Sequence, residues 1–434
     1  MIRAELIGHG IGGRLDLPVP LSYFAAGAAV VLVVTFVGLA ALWPQPRLQD
    51  GPRYRMTDLR LPLRWLTALG VAGLSLTIVA GSAALLAGTD AIGSRNLAPL
   101  LLWVLFWLVV PFLGVAFGNL YSMLNPWRGL ATWLGLGERE RPVAVRSWGI
   151  WPATAILFAF AWLELVFPDS ATPSTVGIAA LVYTVYLLAL MARFGRETAL
   201  TIGDAFTPYN RLLSSVSPWG RDQQGRLVRR GWLRALTVIP EWRGLAPFII
   251  AMIGTVSYDG LSATQWWESV TGSFGSTMFG STILMVALIG SIGAGYFLAC
   301  VVAARLGGGN LAPTRVAARF AHTLVPIAFA YAFAHYFTLI LFEGQQVISN
   351  ISDPFGIGWD LFGTRNYKIN FFLGPIPVWY LQVGTIVAGH IAGVVLAHDR
   401  ALADFKGLGG IRSQYAMLVL MVLLTSLGLF ILAG

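Results

Sequence analysis

Long apolar runs constrain the fold of this chain more than any other feature. A helix that crosses the hydrocarbon core of a bilayer needs about 20 apolar residues. Ten stretches meet or approach that length, at 21–43, 66–87, 98–117, 149–167, 174–192, 244–257, 276–304, 319–343, 377–398 and 414–433. Because lipid cannot satisfy backbone N–H and C=O groups, these runs predict helices. The fold class predicted is therefore an all-α integral membrane protein with about ten transmembrane helices.

The composition agrees with a chain whose main solvent is lipid. Charged residues make up 11% of the sequence, whereas a soluble domain carries about 25%. The formal net charge is +9, but the arginines are spread over short loops and form no single basic face, so a nucleic-acid partner is not expected. Cys300 is the only cysteine, which excludes an intrachain disulfide.

The distribution of Lys and Arg predicts the orientation of the chain. If the N-terminus lies outside, 24 of the 29 Lys and Arg residues fall on the cytoplasmic side, as the positive-inside rule requires. Both termini are then extracytoplasmic, with an outer arm at 1–20 and the longest cytoplasmic loop at 193–243. Since no loop is long enough for a separate soluble domain, residues 1–434 are predicted to form a single polytopic domain.

Two polar segments on the predicted cytoplasmic side resemble each other. "GNLYSMLNPWRGL" (118–130) and "GDAFTPYNRLLSS" (203–215) share similar residues at five positions, including Asn119 with Asp204 and Asn125 with Asn210. One interpretation is parallel two-helix repeats, which transporters often use. The alternative is that Gly, Asn, Ser and Pro simply mark helix ends.

Two of the five histidines fall close together, in "GHIAGVVLAHDR" (389–400). On a helix, His390 and His398 are about 12 Å apart along the axis, too far to ligate one zinc ion at about 2.0–2.1 Å each. His322 and His398 share a predicted depth near the cytoplasmic interface. With Asp399 they predict an inner site for a divalent transition metal. The alternative is that the two histidines bind carbonyls or headgroups and that Asp399 pairs with Arg400.

His335 and His390 lie deeper in their predicted spans. Polar groups at such depth are costly and tend to be functional, which predicts a ligand, substrate or proton-relay role. Glu343 follows His335 by two turns, and with His9 of the outer arm these residues predict an outer site. Bis-histidine haem ligation is an alternative, although the predicted depths of His335 and His390 differ by about 7 Å.

The outer arm "HGIGGRLDLPVP" (9–20) places three glycines before Arg14 and Asp16. These glycines would let the backbone approach a ligand or partner closely. The alternative is a flexible arm anchored by its prolines. The segment lacks the Gly-Lys-Ser/Thr ending and the strand–helix context of a P-loop.

The segments "HGIGGRLDLPVP", "GDAFTPYNRLL" and "GHIAGVVLAHDRAL" together resemble a family of bacterial, largely actinobacterial, multi-pass membrane proteins labelled fenitrothion hydrolase-like. The resemblance covers most of the chain and implies a plasma-membrane location and hydrolysis of an organophosphate triester. The matching polar positions are His9, Arg14, Asp16, Asp204, His390, His398 and Asp399.

Three functions stay open at this point. The chain could be a carrier for a small solute or metal ion, a membrane-embedded metal-assisted hydrolase, or an accessory subunit of a larger membrane complex. The candidate catalytic residues are His390, His398 and Asp399. The candidate substrate-binding residues are His335, Glu343, Asp204 and Arg14, and the candidate metal ligands are His322, His398, Asp399 and His9.

Overall fold

The computed structural model describes residues 21–50, 54–56, 63–91, 95–140, 147–221 and 226–433. Within them, nine helices are long and apolar enough to cross a membrane. The protein is therefore an all-α multi-pass membrane protein, which confirms the predicted fold class. The fourth predicted span forms a helix of only 15 residues, Trp151–Leu165, shorter than the usual span of about 20. On which side of the membrane each terminus lies stays a prediction.

Helices account for most of the described chain. In the first half they are α1 (Leu21–Leu42), α2 (Leu63–Ala87), α3 (Leu97–Phe117), α4 (Tyr121–Leu124), α5 (Pro126–Trp133), α6 (Trp151–Leu165), α7 (Pro173–Phe194), α8 (Arg196–Ile202) and α9 (Phe206–Ser214). In the second half they are α10 (Trp232–Thr237), α11 (Leu245–Ser262), α12 (Gln265–Gly275), α13 (Met278–Leu306), α14 (Pro313–Phe320), α15 (Val325–Phe342), α16 (Val347–Asn350), α17 (Pro375–Asp404), α18 (Leu408–Arg412) and α19 (Tyr415–Ala433).

Short elements complete the backbone. Single 3₁₀ turns at Ala321–Leu324 and Glu343–Gln346 flank α15, and π-helical geometry over Leu100–Val109 interrupts α3. Three short strands, β1 (Tyr54–Met56), β2 (Trp219–Arg221) and β3 (Leu227–Arg230), form a sheet in the order β1–β3–β2. The predicted loop 193–243 thus contains helices and strands of its own.

The chain divides into two compact units. Within the described residues, unit 1 comprises 56–228 and 336–373, and unit 2 comprises 21–55, 229–335 and 374–433. Each unit is assembled from segments that are distant in the sequence.

Glycines bring two helices of unit 1 into close contact. A Cβ built on Gly81 of α2 would lie 2.8 Å from the Cα of Gly177 in α7. Small residues at a helix crossing let the two backbones approach, which membrane helices use in place of a hydrophobic driving force. The start of α7 is also fixed by a side chain, since Asp90 accepts a hydrogen bond of 2.8 Å from the backbone N–H of Ser174.

Unit 2 uses the same device between α15 and α17. A Cβ on Gly389 would lie 2.7 Å from the carbonyl oxygen of Pro326, and one on Gly393 would lie 3.1 Å from that of Thr323. The glycine face of α17 therefore packs directly on the backbone at the start of α15. His390 directly follows Gly389, so this contact also fixes the position of His390, which is buried in unit 2.

Candidate functional site

A cavity of about 590 Å³ lies between the helices of unit 1 and is partly open at its surface. Its walls come from α2, α3, α6 and α7, and its end is formed by α4, α5 and the start of α9. The lining atoms are almost entirely carbon. Ligand pockets in proteins usually measure about 300–1,000 Å³ and are mostly apolar, so this cavity has the size and chemistry of a site for a small apolar molecule.

Aromatic rings form one end of the cavity. The ring of Trp127 lies 4.9 Å from that of Tyr183 and stacks on Phe206 at 6.3 Å, and Phe106 contacts Phe206 edge-on at 4.6 Å. The indole N–H of Trp127 donates to Thr184 Oγ1 at 3.0 Å, so its polar atom is satisfied by protein. The rings therefore present carbon to the cavity and hold one another in fixed orientations.

Asp204 lies behind these rings, between α8 and α9, and is fully buried. One carboxylate oxygen accepts hydrogen bonds from the Tyr183 hydroxyl at 2.6 Å and the Phe206 N–H at 3.0 Å. The other accepts from the Thr207 hydroxyl at 2.6 Å and the Tyr121 hydroxyl at 3.0 Å. Both oxygens are thus occupied by protein donors, and Asp204 holds the hydroxyls of two of the tyrosines that line the cavity, Tyr121 and Tyr183.

Burial dominates the electrostatics of this cluster. It raises the pKa of Asp204 above its ordinary value, although the hydrogen bonds from Thr207 and Tyr183 act in the opposite direction. Burial, followed by the Asp204 charge, also raises the pKa of Tyr121 well above its usual value. Tyr121 therefore stays a neutral donor at physiological pH.

The two similar segments, 118–130 and 203–215, contribute to one cluster. Tyr121 from the first segment donates to Asp204 from the second, and Asn125 Nδ2 lies 3.4 Å from the same carboxylate. The predicted equivalence of Asn125 and Asn210 is only partial. Asn125 caps the start of α5 by accepting from the N–H of Arg128, whereas Asn210 lies within α9 and donates to the Phe206 carbonyl. Duplication of the segments stays a prediction.

Asp399 of unit 2 accepts hydrogen bonds from the stretch that follows α1. Its donors are the Arg47 N–H at 2.5 Å, the Leu48 N–H at 3.2 Å, the Trp43 indole at 3.2 Å and the Gln49 side chain at 2.6 Å. The sequence pointed instead to Arg400, a histidine or a metal as the partner of this carboxylate. The stretch 43–49 lies about 350 positions away in the sequence, so no local pattern indicated it.

His398 and His322 each bind protein atoms. His398 contacts Gln414 Oε1 through Nδ1 and the Trp43 carbonyl through Nε2, both at 2.9 Å. His322 Nδ1 lies 2.9 Å from the Arg319 carbonyl. Among the described residues, no group of three or more His, Cys, Asp or Glu side chains is arranged to hold a metal ion. The metal role of these histidines and of Asp399 stays a prediction.

His335 pairs with Asp259, an acid that was not among the predicted site residues. Its Nε2 lies 2.9 Å from a carboxylate oxygen of Asp259, and both side chains are buried. The predicted sixth span ended at residue 257, but α11 continues to Ser262 and so includes Asp259. The sequence feature that could have indicated Asp259 is its position just beyond a short apolar run. Glu343, expected near His335, binds the side chain of Gln346 within unit 1.

The remaining predicted residues fall into two groups. His390 is fully buried, and its Nδ1 lies 2.8 Å from the Ile386 carbonyl. His9, Arg14 and Asp16 lie outside the described residues, so the outer site that was predicted to include His9 stays a prediction.

No protein-family model, curated protein or solved structure matches this chain. The roles of the residues therefore rest on their geometry alone.

Proposed function

We propose that this protein is a plasma-membrane carrier that binds a small, largely apolar solute in the cavity of unit 1. The single observation that carries the proposal is the cavity itself, about 590 Å³ in volume with an almost entirely carbon wall. A solute with buried polar groups would lose hydrogen bonds to water without replacing them, at a cost of about 1–3 kcal/mol for each group. The wall therefore selects molecules with an apolar body.

The Asp204 cluster supports selectivity at one end of this cavity. Because Asp204 fixes the hydroxyls of Tyr121 and Tyr183, the two rings are held in place before a solute arrives. Groups held in position lose less entropy when a ligand binds, which strengthens binding. Among the predicted binding residues, Asp204 is thus the one on which the proposal depends.

Filling the cavity from a glycine tests the proposal. A Cβ built on Gly73 of α2 meets no atom within 4 Å, and Gly73 lines the cavity. Gly73→Leu should therefore occupy solute space without a backbone clash. Gly290→Leu is the matched control, because Gly290 lies within the long helix α13, is exposed and also has open space around it.

Binding is measured in proteoliposomes with the neutral fluorophore N-phenyl-1-naphthylamine, excited by energy transfer from tryptophan. Wild type and Gly290→Leu should show saturable binding above the linear partition into lipid. Gly73→Leu should weaken the saturable component by at least about ten-fold, or roughly 1.4 kcal/mol. Equal saturable binding in all three proteins would reject the cavity as the solute site.

A second candidate function is the hydrolysis of a neutral organophosphate triester, which the family resemblance implied. The observation that favours it is again the apolar wall, since such esters carry no charge and are largely carbon. Diethyl 4-nitrophenyl phosphate distinguishes the two functions. Displacement of the fluorophore without coloured 4-nitrophenolate supports a carrier, whereas release of 4-nitrophenolate that Gly73→Leu abolishes supports a hydrolase.

A further inference from the structure

Unit 2 contains a second, much smaller cavity next to the His335–Asp259 pair. Its volume is about 20 Å³, and both His335 and Tyr331 line it. These two residues lie four positions apart on α15 and so share one face of the helix. A cavity of about 10–15 Å³ or more can hold a single water molecule when polar groups border it. The cavity is therefore large enough for one water between the two side chains.

A third titratable ring, that of His390 on α17, lies next to Tyr331. The ring centroids of Tyr331 and His390 are 6.0 Å apart. His390 Nδ1 must donate to the Ile386 carbonyl, because a carbonyl can only accept, and this leaves Nε2 of the neutral ring as an acceptor. That Nε2 is buried and has no hydrogen-bond partner among the described residues. Buried polar atoms are normally satisfied, so a donor is needed at this position.

Glycines shape the space around two of these rings. A Cβ on Gly260 would lie 3.3 Å from Nδ1 of His335, and a Cβ on Gly428 would lie 3.1 Å from the Tyr331 ring. Both rings therefore pack directly against helix backbone. The Tyr331 hydroxyl itself donates to the Leu424 carbonyl, which leaves its oxygen able to accept a proton from a water in the cavity.

We propose that unit 2 holds an internal proton relay made of Asp259, His335, one water, Tyr331 and His390. A proton held between Asp259 and His335 passes to the water, which gives one of its protons to the Tyr331 oxygen. The hydroxyl then turns from Leu424 and releases its original proton to Nε2 of His390. The water and Tyr331 each gain one proton and lose one, so the net change is one proton lost by the Asp259–His335 pair and one gained by His390, which becomes the cation. Ionisable residues within membrane spans often serve such relays.

The relay is tested by hydrogen–deuterium exchange of histidine side chains. Protein labelled with ¹⁵N-histidine is placed in lipid bilayers, and ring N–H exchange in D₂O is followed by solid-state NMR. Tyr331→Phe removes the hydroxyl and should slow exchange at His390 by at least about ten-fold while His335 keeps its rate. His322 is an internal control, because it is also buried and also uses Nδ1 on a backbone carbonyl.

A second variant targets the water without removing a polar group. Val256 lines the small cavity, and Val256→Ile adds one methyl group that should displace the water and slow His390 exchange as well. Val378→Ile makes the same change at a buried valine of unit 2 that does not line this cavity, and it should have no effect. Unchanged exchange at His390 in both relay variants, or slowing that His322 shares, would overturn the proposal.

Discussion

Asp204 of unit 1 and Asp399 of unit 2 are both fully buried carboxylates, yet they are satisfied in different ways. Asp204 accepts from three side-chain hydroxyls, the Asn125 amide and one backbone N–H, supplied by three separate parts of unit 1. Asp399 accepts from the backbone and side chains of one short stretch, 43–49. The first carboxylate holds aromatic rings at the end of a cavity, and the second holds a single turn after α1.

The difference shows why a buried acid alone does not identify a site. Asp399 lies in the final part of α17, where the helix dipole disfavours a negative charge by about 0.3–1 kcal/mol. Two backbone N–H groups compensate for this, so its geometry has a sufficient structural explanation. Asp204 has equally complete hydrogen bonding, but two of its donors, Tyr121 and Tyr183, line a cavity. Only the presence of this cavity favours a role for Asp204 in binding.

The largest effect should come from removing the Asp204 carboxylate. Asp204→Ala leaves several buried neutral donors without an acceptor, at a cost of about 1–3 kcal/mol for each group left unsatisfied. We expect the free energy of unfolding in mixed micelles to fall by at least that amount, with loss of saturable fluorophore binding. Asp169→Ala, at an exposed acid of unit 1, should stay within about 0.5 kcal/mol of wild type. A small effect of Asp204→Ala would mean that the cluster does not hold the cavity together.

Asp399→Asn should have a smaller and more local effect. The asparagine keeps one acceptor oxygen but turns an amide N–H₂ toward the donors of 43–49, at a cost of about 1–3 kcal/mol. Amide exchange at Arg47 and Leu48 should accelerate in hydrogen-exchange mass spectrometry while the rest of unit 2 is unchanged. Asp50→Asn, at an exposed acid next to this stretch, is the control. A loss of metal affinity or activity of about 10–100-fold with unchanged exchange would instead favour the predicted metal site.

The same comparison shows what the sequence could predict about the fold. Length and hydropathy identified the spans because lipid offers no hydrogen bonds, and a helix satisfies its backbone N–H and C=O groups within one segment. The helix Trp151–Leu165 was expected to be longer, since apolar residues at 149–150 and 166–167 extend the run beyond the helix. Asp259 was placed outside its span for the opposite reason, because α11 continues past the apolar run.

The site was predictable only in part. Asp204 and the segment of Tyr121 were marked by their polar, glycine-containing pattern at a helix end. Tyr183 was not, because a tyrosine inside an apolar span looks like any other lipid-compatible residue until its hydroxyl meets an acid 21 positions later. Contacts such as Asp399 with Arg47 depend on packing between distant segments, which no local spacing encodes.

The pH dependence of stability should separate Asp204 from ordinary acids. Burial raises the pKa of Asp204 above its ordinary value of 3.8, so the folded state binds this proton more tightly than the unfolded state. The free energy of unfolding should therefore fall as pH rises from 3.8 through the raised pKa, by about 1.4 kcal/mol for each pH unit that separates the unfolded-state pKa from the folded-state pKa. Unfolding titrations of wild type and Asp204→Asn check this, and identical slopes in the two proteins would contradict it.

Glu140 should show the opposite sign and the smallest effect. It is an exposed acid whose carboxylate accepts from the N–H groups of Glu197 and Thr198 at 2.8 and 2.9 Å, at the start of α8. Partial burial of the Glu140 carboxylate raises its pKa, but the hydrogen bonds have the larger combined effect and lower the pKa below its ordinary value of 4.5. The contribution of Glu140 to the free energy of unfolding should be complete above pH 4.5 and disappear as pH falls through the lowered pKa.

Glu140→Gln should cost about 0.3–1 kcal/mol at neutral pH, the range for a capping charge at a helix N-terminus, and nothing in strong acid. Glu138→Gln, at the neighbouring exposed acid, is the control in the same unfolding titration. A cost for Glu140→Gln that does not depend on pH would contradict this prediction, because it would show that the carboxylate acts through packing and not through its charge.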